Sequence, residues 1–391
     1  MSSTPMSTPK LLAVYNVNLQ TRGHLGVKRK VLAQAQGFSR HHTQVHMICG
    51  DGPNIVRLVF EAGSEVQREI ITTAVAPGDF FVHVATWVAA HQAQARAFEW
   101  AYVRYNPMHN NELLQLVRQL HAAAVPMFVE MYTLEYRNEL PAQAAKTDLG
   151  YFLQLAHLVA GFFTPSQVLP GATLHERPLY KMGNGATWIA PTAPQPRPDI
   201  HHAFHLLGVG YLARWHGYDR LFPAIPEFVK AYPEVDLRLF LVGQGPASAQ
   251  LAQQAQEMGV AEFVTFTGAL DPDALANRYA GVHLGLGSLG FHRTGVSYAE
   301  PLKHREFMYY GLPFIYSLED SFSPEQLSGT WQLAADDQPV DLVAIYEHYR
   351  SLPIAETARN LHHYAESHFS WGVQTANIMQ IAQERLKQIT F

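Results

Sequence analysis

Short apolar runs alternate with longer amphipathic stretches along this chain, and the alternation is played through twice. In the first series LLAVYNVNL, QVHMICG, FFVHVAT, AYVRY and PMFVEMY read as strands, with VKRKVLAQAQGF and NELLQLVRQLHAA at helical spacing between them. Around residues 189–203 the pattern lapses into IAPTAPQPRPDIHHA, a proline-rich linker by composition. Beyond it HLLGVGYL, LRLFLVGQG, FVTFTGAL, VHLGLGSLG and LPFIYS resume as strands, with helices through LFPAIPEFVKAY, AQLAQQAQEMG and REFMYYG. Strand, helix, strand in repetition predicts parallel sheets with helices on both faces. The fold class is therefore α/β, built as two doubly wound units. A length of 391 residues agrees, because single cores stop growing at about 250–300 residues. The expected boundaries are a first domain at 1–189, a linker at 190–203, a second domain at 204–369 and a terminal amphipathic helix at 370–391, through FSWGVQTANIMQIAQERLKQI.

Composition removes several function classes. A formal charge of -5 argues against a general nucleic-acid binder, which carries a basic excess. The single cysteine, Cys49, lies in the apolar run QVHMICG and reads as a buried small hydrophobe in a reducing compartment. The N-terminal MSSTPMSTPK lacks the apolar segment of a signal peptide, and no apolar stretch approaches the roughly 20 residues of a membrane span. A cytoplasmic protein is expected, with peripheral contact at the inner face of the membrane left open. The 21 histidines invite a metal hypothesis, but neither H-E-x-x-H nor a Cys/His ligand spacing occurs, so no metal site is expected.

In doubly wound sheets ligands bind at the carboxyl ends of strands, which directs attention to the glycine-bearing segments there. TRGHLGVKRKVL leads from the first strand into a helix, where Gly26 would let an anion approach the helix start. Steric need for a turn explains the same glycine. LLGVGYLARWHGYDRLF opens the second domain with Arg214, His216 and Arg220 at a turn, read either as phosphate contacts or as caps and surface groups. VHLGLGSLGFHRTGVSYAEPLKHREFMYYGLPFIY crowds His292, Arg293, Lys303, His304 and Arg305 around Glu306. Its GSLG suits close backbone approach to a ligand at Ser288, and Lys303 and Glu306 share a helix face. A carboxylate can hold a vicinal diol while the cation meets phosphate; the bland alternative is an intrahelical Lys–Glu pair.

Taken in order, GVGYLARWHGYDRL, LVGQGP, FTGAL, GSLGFHR and PLKHREFMYYGLPFI resemble the donor half of the family-4 retaining glycosyltransferases with the GT-B fold. GVKRKVLAQAQGF, YVRYNPM, VEMYTLEY and the NGA that follows TPSQ resemble the acceptor half of bacterial polysaccharide-building members. The likeness spans nearly the whole chain and is densest from residue 205 to 317. It implies two Rossmann-like domains facing a cleft, with the terminal helix crossing back onto the first. Glu306 matches the second glutamate of the family's E-x7-E signature, which binds the ribose hydroxyls. Tyr298 stands where the first would fall, and Glu300 is out of register. The usual VGRL-x-x-x-KG becomes VGYLARWHG, so Tyr211 and His216 replace its phosphate-binding arginine and lysine, and Lys303, Arg305 and Arg214 are expected to stand in for them.

The resemblance thus implies donor contacts from Gly26, Gly210, Arg214, His216, Gly243, Thr267, Gly268, Ser288, Leu289, Gly290, Arg293, Leu302, Lys303 and Glu306, and catalytic roles for Glu130, His292 and Lys303. Glu130 either orients a substrate or is a structural carboxylate. A diphosphate beside His216 is expected to hold its imidazole charged, so donor affinity should fall as pH rises. The implied reaction moves a sugar from a nucleoside-diphosphate sugar to a hydroxyl of a glycan or lipid-linked acceptor with retention, without cofactor, metal or protein nucleophile. Two other classes stay open: a non-catalytic GT-B scaffold or partner subunit, which the lost signature residues favour, and a nucleotide-sugar epimerase.

Overall fold

The structure is a computed structural model of the 391-residue chain and describes residues 8–21, 25–41, 43–76, 78–187 and 197–389. The chain divides into two compact units, the first comprising residues 1–21, 27–183 and 371–391, the second residues 22–26 and 184–370. Much of the proline-rich linker, residues 190–196, lies outside the described residues.

The first unit runs β1 (Lys10–Asn18), α1 (Leu25–Ser39), β2 (Gln44–Asp51), β3 (Asn54–Glu61), β4 (Ser64–Thr72), α2 (Phe80–Ala90), α3 (Gln92–Ala95), β5 (Trp100–Arg104), α4 (Asn110–Ala122), β6 (Met127–Glu130), α5 (Ala142–Ala156), β7 (Gly161–Thr164), β8 (Thr173–Leu174) and β9 (Arg177–Lys181). Its sheet order is β4-β3-β2-β1-β5-β6-β7-β9-β8. The strands β2, β1, β5, β6, β7 and β9 are parallel, and β3, β4 and β8 join antiparallel. Leu11 to Tyr15 of β1 are fully buried, as a parallel strand covered on both faces requires.

Two expectations fail here for identifiable reasons. FFVHVAT is the helix α2, not a strand: Phe80, Phe81, Val84, Ala85, Trp87 and Val88 are buried at one-turn spacing, and that period outweighs the strand-like composition. The β3–β4 hairpin, turning at Ala62 and Gly63 with φ of 49° and 85°, makes this sheet mixed rather than parallel. Most of β4 faces solvent, so it carries little apolar signal.

The second unit continues β10 (Ala203–Val209), α6 (Ile225–Ala231), β11 (Asp236–Val242), α7 (Ser248–Glu257), β12 (Val264–Gly268), α8 (Pro272–Ala280), β13 (Leu284–Leu286), α9 (Leu302–Tyr309), β14 (Phe314–Tyr316), β15 (Thr330–Gln332), α10 (Leu342–Ser351) and α11 (Ile354–Phe369). All six strands are parallel in the order β12-β11-β10-β13-β14-β15. Numbered within the unit this is 3-2-1-4-5-6, the dinucleotide-fold order, and it reverses direction between β10 and β13. A crevice is expected beyond the carboxyl ends of those two strands.

The last helix, α12 (Trp371–Leu386), belongs to the first unit. Its Ile378, Met379 and Ala382 share a core with Leu11, Val31 and Phe38. Phe38 meets Tyr102 edge-on at 5.3 Å between ring centres, one of several aromatic contacts that anchor α1 to the sheet.

Candidate active site

The reversal point of the second sheet assembles residues that are far apart in sequence. After β10 the chain turns through residues 210–217, and after β13 through 287–290. The two turns are stitched together: Leu289 and Gly290 donate backbone hydrogen bonds to the carbonyls of His216 (2.9 Å) and Trp215 (3.2 Å). Gly217 makes this approach possible. Its φ is 66°, and a Cβ there would lie 2.6 Å from the carbonyl carbon of Leu289. Arg220, read from the sequence either as a phosphate contact or as a cap or surface group, is buried and donates to the carbonyls of Leu289, Gln338 and Ala334. It fastens the same turn from below.

The backbone amides of GSLG are bonded within the second unit. The Gly287 amide donates to the Ile315 carbonyl at 2.8 Å, the Ser288 amide to His304 Nε2 at 3.2 Å, and the next two to the 215–216 turn. The Gly217 amide is likewise taken by the Arg214 carbonyl. Side chains are left to meet an anion. Ser288 is buried, and its Oγ has no partner among the described residues.

Lys303 enters from the first turn of α9. Its Nζ donates to Tyr218 Oη at 3.1 Å and the Gly287 carbonyl at 3.4 Å, and lies 5.2 Å from the centre of the Tyr218 ring. It is 8% exposed, and among the described residues no carboxylate pairs with it; burial lowers its pKa well below the usual lysine value. A buried ammonium without a counter-charge is costly and rare. His216 also stacks on the Tyr218 ring, with centres 5.4 Å apart and planes 16° from parallel. The cationic role expected for His216 meets opposition here: burial, then Lys303 and His304, push its pKa well below the ordinary histidine value. The Ala213 amide donates to Nδ1 at 3.4 Å, which leaves the proton of the neutral ring on Nε2. Neutral His216 is thus an N–H donor rather than a charge.

Glu306 lies one turn along α9, 8% exposed, with Oε2 accepting from Tyr279 Oη of α8 at 2.7 Å. Tyr279 in turn stacks on Tyr310 at 4.3 Å. Neither tyrosine was among the expected site residues, although Tyr310, four after Glu306, caps the end of the same helix. Gly210, Gly243, Thr267 and Gly268 occupy the neighbouring ends of β10, β11 and β12, where the Gly243 amide donates to the Gly268 carbonyl at 2.8 Å. Leu289 is buried within the turn and Leu302 opens α9.

Several of the basic residues crowded around Glu306 in the sequence are already neutralised. Arg293 makes a bidentate pair with Asp219 at 2.8 Å and a further bond to Asp337, which also meets His292 at 3.1 Å. Arg305 is fully buried between Asp320 (2.6 Å) and Glu300 (3.0 Å). Glu300 also accepts from Tyr298 Oη at 2.9 Å and the Asn184 amide at 2.9 Å, so the tyrosine in the first signature position is turned onto an internal carboxylate. His304 donates from Nδ1 to Asp320 at 2.8 Å; burial brings its pKa down to about 4 despite that neighbour, which keeps Nε2 free to receive the Ser288 amide. Exposed Arg214 borders a cavity of about 270 Å³ with Asp219 and Arg293.

Gly26 lies in the first turn of α1, and Glu130 ends β6. Glu130 is wholly buried. Lys30 is 2.7 Å away, Tyr102 Oη 2.7 Å, Gln34 Nε2 3.0 Å and Arg104 3.5 Å. Burial alone would raise its pKa, but Lys30 and Arg104 outweigh it and bring the carboxyl down to about 2. Among the described residues no group of three or more His, Cys, Asp or Glu is placed to hold a metal, and no helix is long and apolar enough to cross a membrane.

Fold and strand-end geometry together define a GT-B architecture, and comparison with known proteins agrees. Residues 203–344 match the family model described as Glycosyl transferases group 1. Sucrose-phosphate synthase from Thermosynechococcus elongatus superposes with a TM-score of 0.65 at 16% identity, covering 97% of this chain and 100% of that one. HepE from Anabaena, solved with UDP and glucose, gives 0.62 at 14% identity over 96% and 100%. The lipopolysaccharide core biosynthesis glycosyltransferase LpsD of Rhizobium meliloti (strain 1021) is 30% identical over 123 residues, 31% of this chain and 34% of that protein. The match thus spans about a third of the length of the curated relative. The GT-B fold expected from the motifs holds, and the likeness to group 1 covers residues 203–344.

Proposed function

We propose that this protein is a glycosyltransferase that takes a sugar from a nucleoside-diphosphate donor and passes it, with retention, to a hydroxyl of a glycan or lipid-linked acceptor. The observation that carries the reading is Lys303, a buried cation without a carboxylate partner among the described residues, at the strand-order reversal of a Rossmann-like sheet. A diphosphate placed against it supplies the missing counter-charge. Ser288 Oγ and His216 Nε2–H are the neighbouring neutral donors, and Glu306, braced by Tyr279, is the acceptor for the ribose hydroxyls.

Charge develops on the diphosphate as the glycosidic bond breaks, so donors fixed beforehand favour that step. Neutral His216 and desolvated Lys303 suit this, because a low-dielectric setting strengthens each contact to the leaving group. No metal or cofactor is required in this scheme, and the nucleotide sugar is a co-substrate. The proposal includes a cytoplasmic setting, where the single buried Cys49 needs no oxidising partner. Glu130 is assigned a structural role, since four side chains surround its carboxylate.

The test is a thermal-shift screen of UDP-, GDP-, ADP- and dTDP-sugars, followed by release of nucleoside diphosphate with and without acceptor glycans. A true donor raises the melting temperature with concentration. Release that depends on acceptor supports transfer. Donor binding without turnover favours the scaffold reading, for which the locked Tyr298–Glu300 pair is the supporting observation, and conversion of the sugar without release favours an epimerase.

A further inference from the structure

A second cavity in the second unit, about 640 Å³, opens beyond the carboxyl ends of β14 and β15, beside the reversal point rather than at it. Its volume falls within the roughly 300–1,000 Å³ of ligand sites. The half-buried indole of Trp331 lines it, held edge-to-face against His348 at 4.8 Å. Gln332 projects from the same strand, with Nε2 anchored on the Leu318 carbonyl at 3.1 Å. Glu319 and Glu325 are exposed on the facing loop. The backbone of Glu319 is tied on both sides to the 297–299 segment, donating to the Ser297 carbonyl at 2.8 Å and accepting from the Ala299 amide at 3.1 Å, so its position is fixed although its carboxylate is open. Hydrogen bonding within its own loop lowers the Glu325 pKa.

We propose that this groove binds a neutral saccharide chain, at a site separate from the one assigned to the nucleotide. The chemistry selects the ligand class. Among the described residues no lysine or arginine lines the groove, and two glutamates do, so phosphate and other anions are repelled. Carboxylates and a carboxamide oxygen accept hydrogen bonds, which is what a ring of hydroxyls offers. The indole supplies an apolar face for the C–H side of a pyranose. Ser317 is among the lining residues, and its amide donates to the Ser288 carbonyl at 3.0 Å, which ties the lining to the turn that carries Ser288. The inference stands on the groove alone and does not require the transferase reading.

Binding is measured by calorimetry and saturation-transfer NMR with maltohexaose, cellohexaose and chitohexaose, with spermine as the cationic control. The expected result is saturable binding of at least one saccharide, weakened about tenfold or more in the double variant Glu319→Ala/Glu325→Ala, whose two positions are exposed and whose fold is checked by circular dichroism. Trp331→Tyr should retain binding and Trp331→Ala lose it. Saturating UDP should leave the saccharide in place. Absence of binding for all three saccharides, binding untouched by the double substitution, binding of spermine alone, or displacement by UDP or a UDP-sugar would each overturn the assignment; displacement by the UDP-sugar alone would make the groove the donor's own sugar pocket.

Discussion

Replacing Lys303 by methionine should make the protein more stable and its nucleotide binding worse. The ammonium is held in a site 8% exposed, among the described residues without a carboxylate partner, and its contacts are Tyr218 Oη and one carbonyl. An apolar side chain of similar volume removes the desolvation penalty and keeps the packing, a change worth about 1 kcal/mol or more in favour of the fold. The sign of the pH effect follows from the direction of the shift. Folding lowers the Lys303 pKa, so between that lowered value and the roughly 10.4 of an unfolded lysine the unfolded chain holds more protons. Stability contributed at this site therefore rises with pH across that window, and the rise disappears in Lys303→Met. Affinity moves the other way. A charge-assisted contact to phosphate contributes about 1.5–3 kcal/mol, so UDP should bind roughly tenfold to a hundredfold more weakly to the variant. The diphosphate also favours the charged lysine, and wild type should take up a proton on binding where free Lys303 is partly neutral. Urea unfolding at several pH values and UDP calorimetry in buffers of different ionisation enthalpy read all of these quantities. A Lys303→Met protein that is less stable than wild type and binds UDP equally well would refute the reasoning.

Glu306→Ala should lower donor use roughly a hundredfold, with Glu306→Gln milder and Tyr279→Phe milder still, because the last removes one brace on the carboxylate and leaves the acceptor in place; kcat/KM for the donor separates the three. His216→Ala should weaken UDP binding without changing its slope between roughly pH 6 and 9, since the buried imidazole is already neutral there; a slope present in wild type and lost in the variant would restore the cationic role. Glu130, held at about 2 against 4.5, contributes about 3 kcal/mol that is present above pH ~4.5 and lost as pH falls toward the folded value. Acid unfolding followed in mild urea should show that loss in wild type and a flatter profile in Glu130→Gln. Gly217→Ala should cost about 2–4 kcal/mol in denaturant unfolding, because φ is positive and the new methyl meets the Leu289 backbone.

What could be read from the amino acids alone followed burial. A strand such as LLAVY is covered on both faces of its parallel sheet, so it appears as an unbroken apolar run, and LRLFLV was legible with one interruption at Arg238. The edge strand β4 faces water and has no such run, and α2 hides a helical period inside a strand-like composition. At the site, the positions of Lys303, Glu306 and His216 were legible because strand-end turns and an eight-residue helix bring them together. Their states were not, since protonation and amide availability depend on partners far along the chain. His304 is oriented by Asp320, sixteen residues on, and in that orientation it removes the Ser288 amide from any ligand.

The basic run around Glu306 illustrates the difference between a charged sequence and a charged surface. Arg293 and His292 meet Asp219 and Asp337, and Arg305 and His304 meet Asp320 and Glu300. Those four side chains are spent on holding two turns and the start of α9 in place. Lys303 is the member of the run with no such carboxylate among the described residues, and its neighbours are neutral donors. On the proposed reading, anion recognition is concentrated in one desolvated lysine backed by a rigid frame, an arrangement in which a single hydrogen-bonded contact outweighs a diffuse field. Tyr298 also serves that frame: it donates to Glu300, the carboxylate that helps hold Arg305.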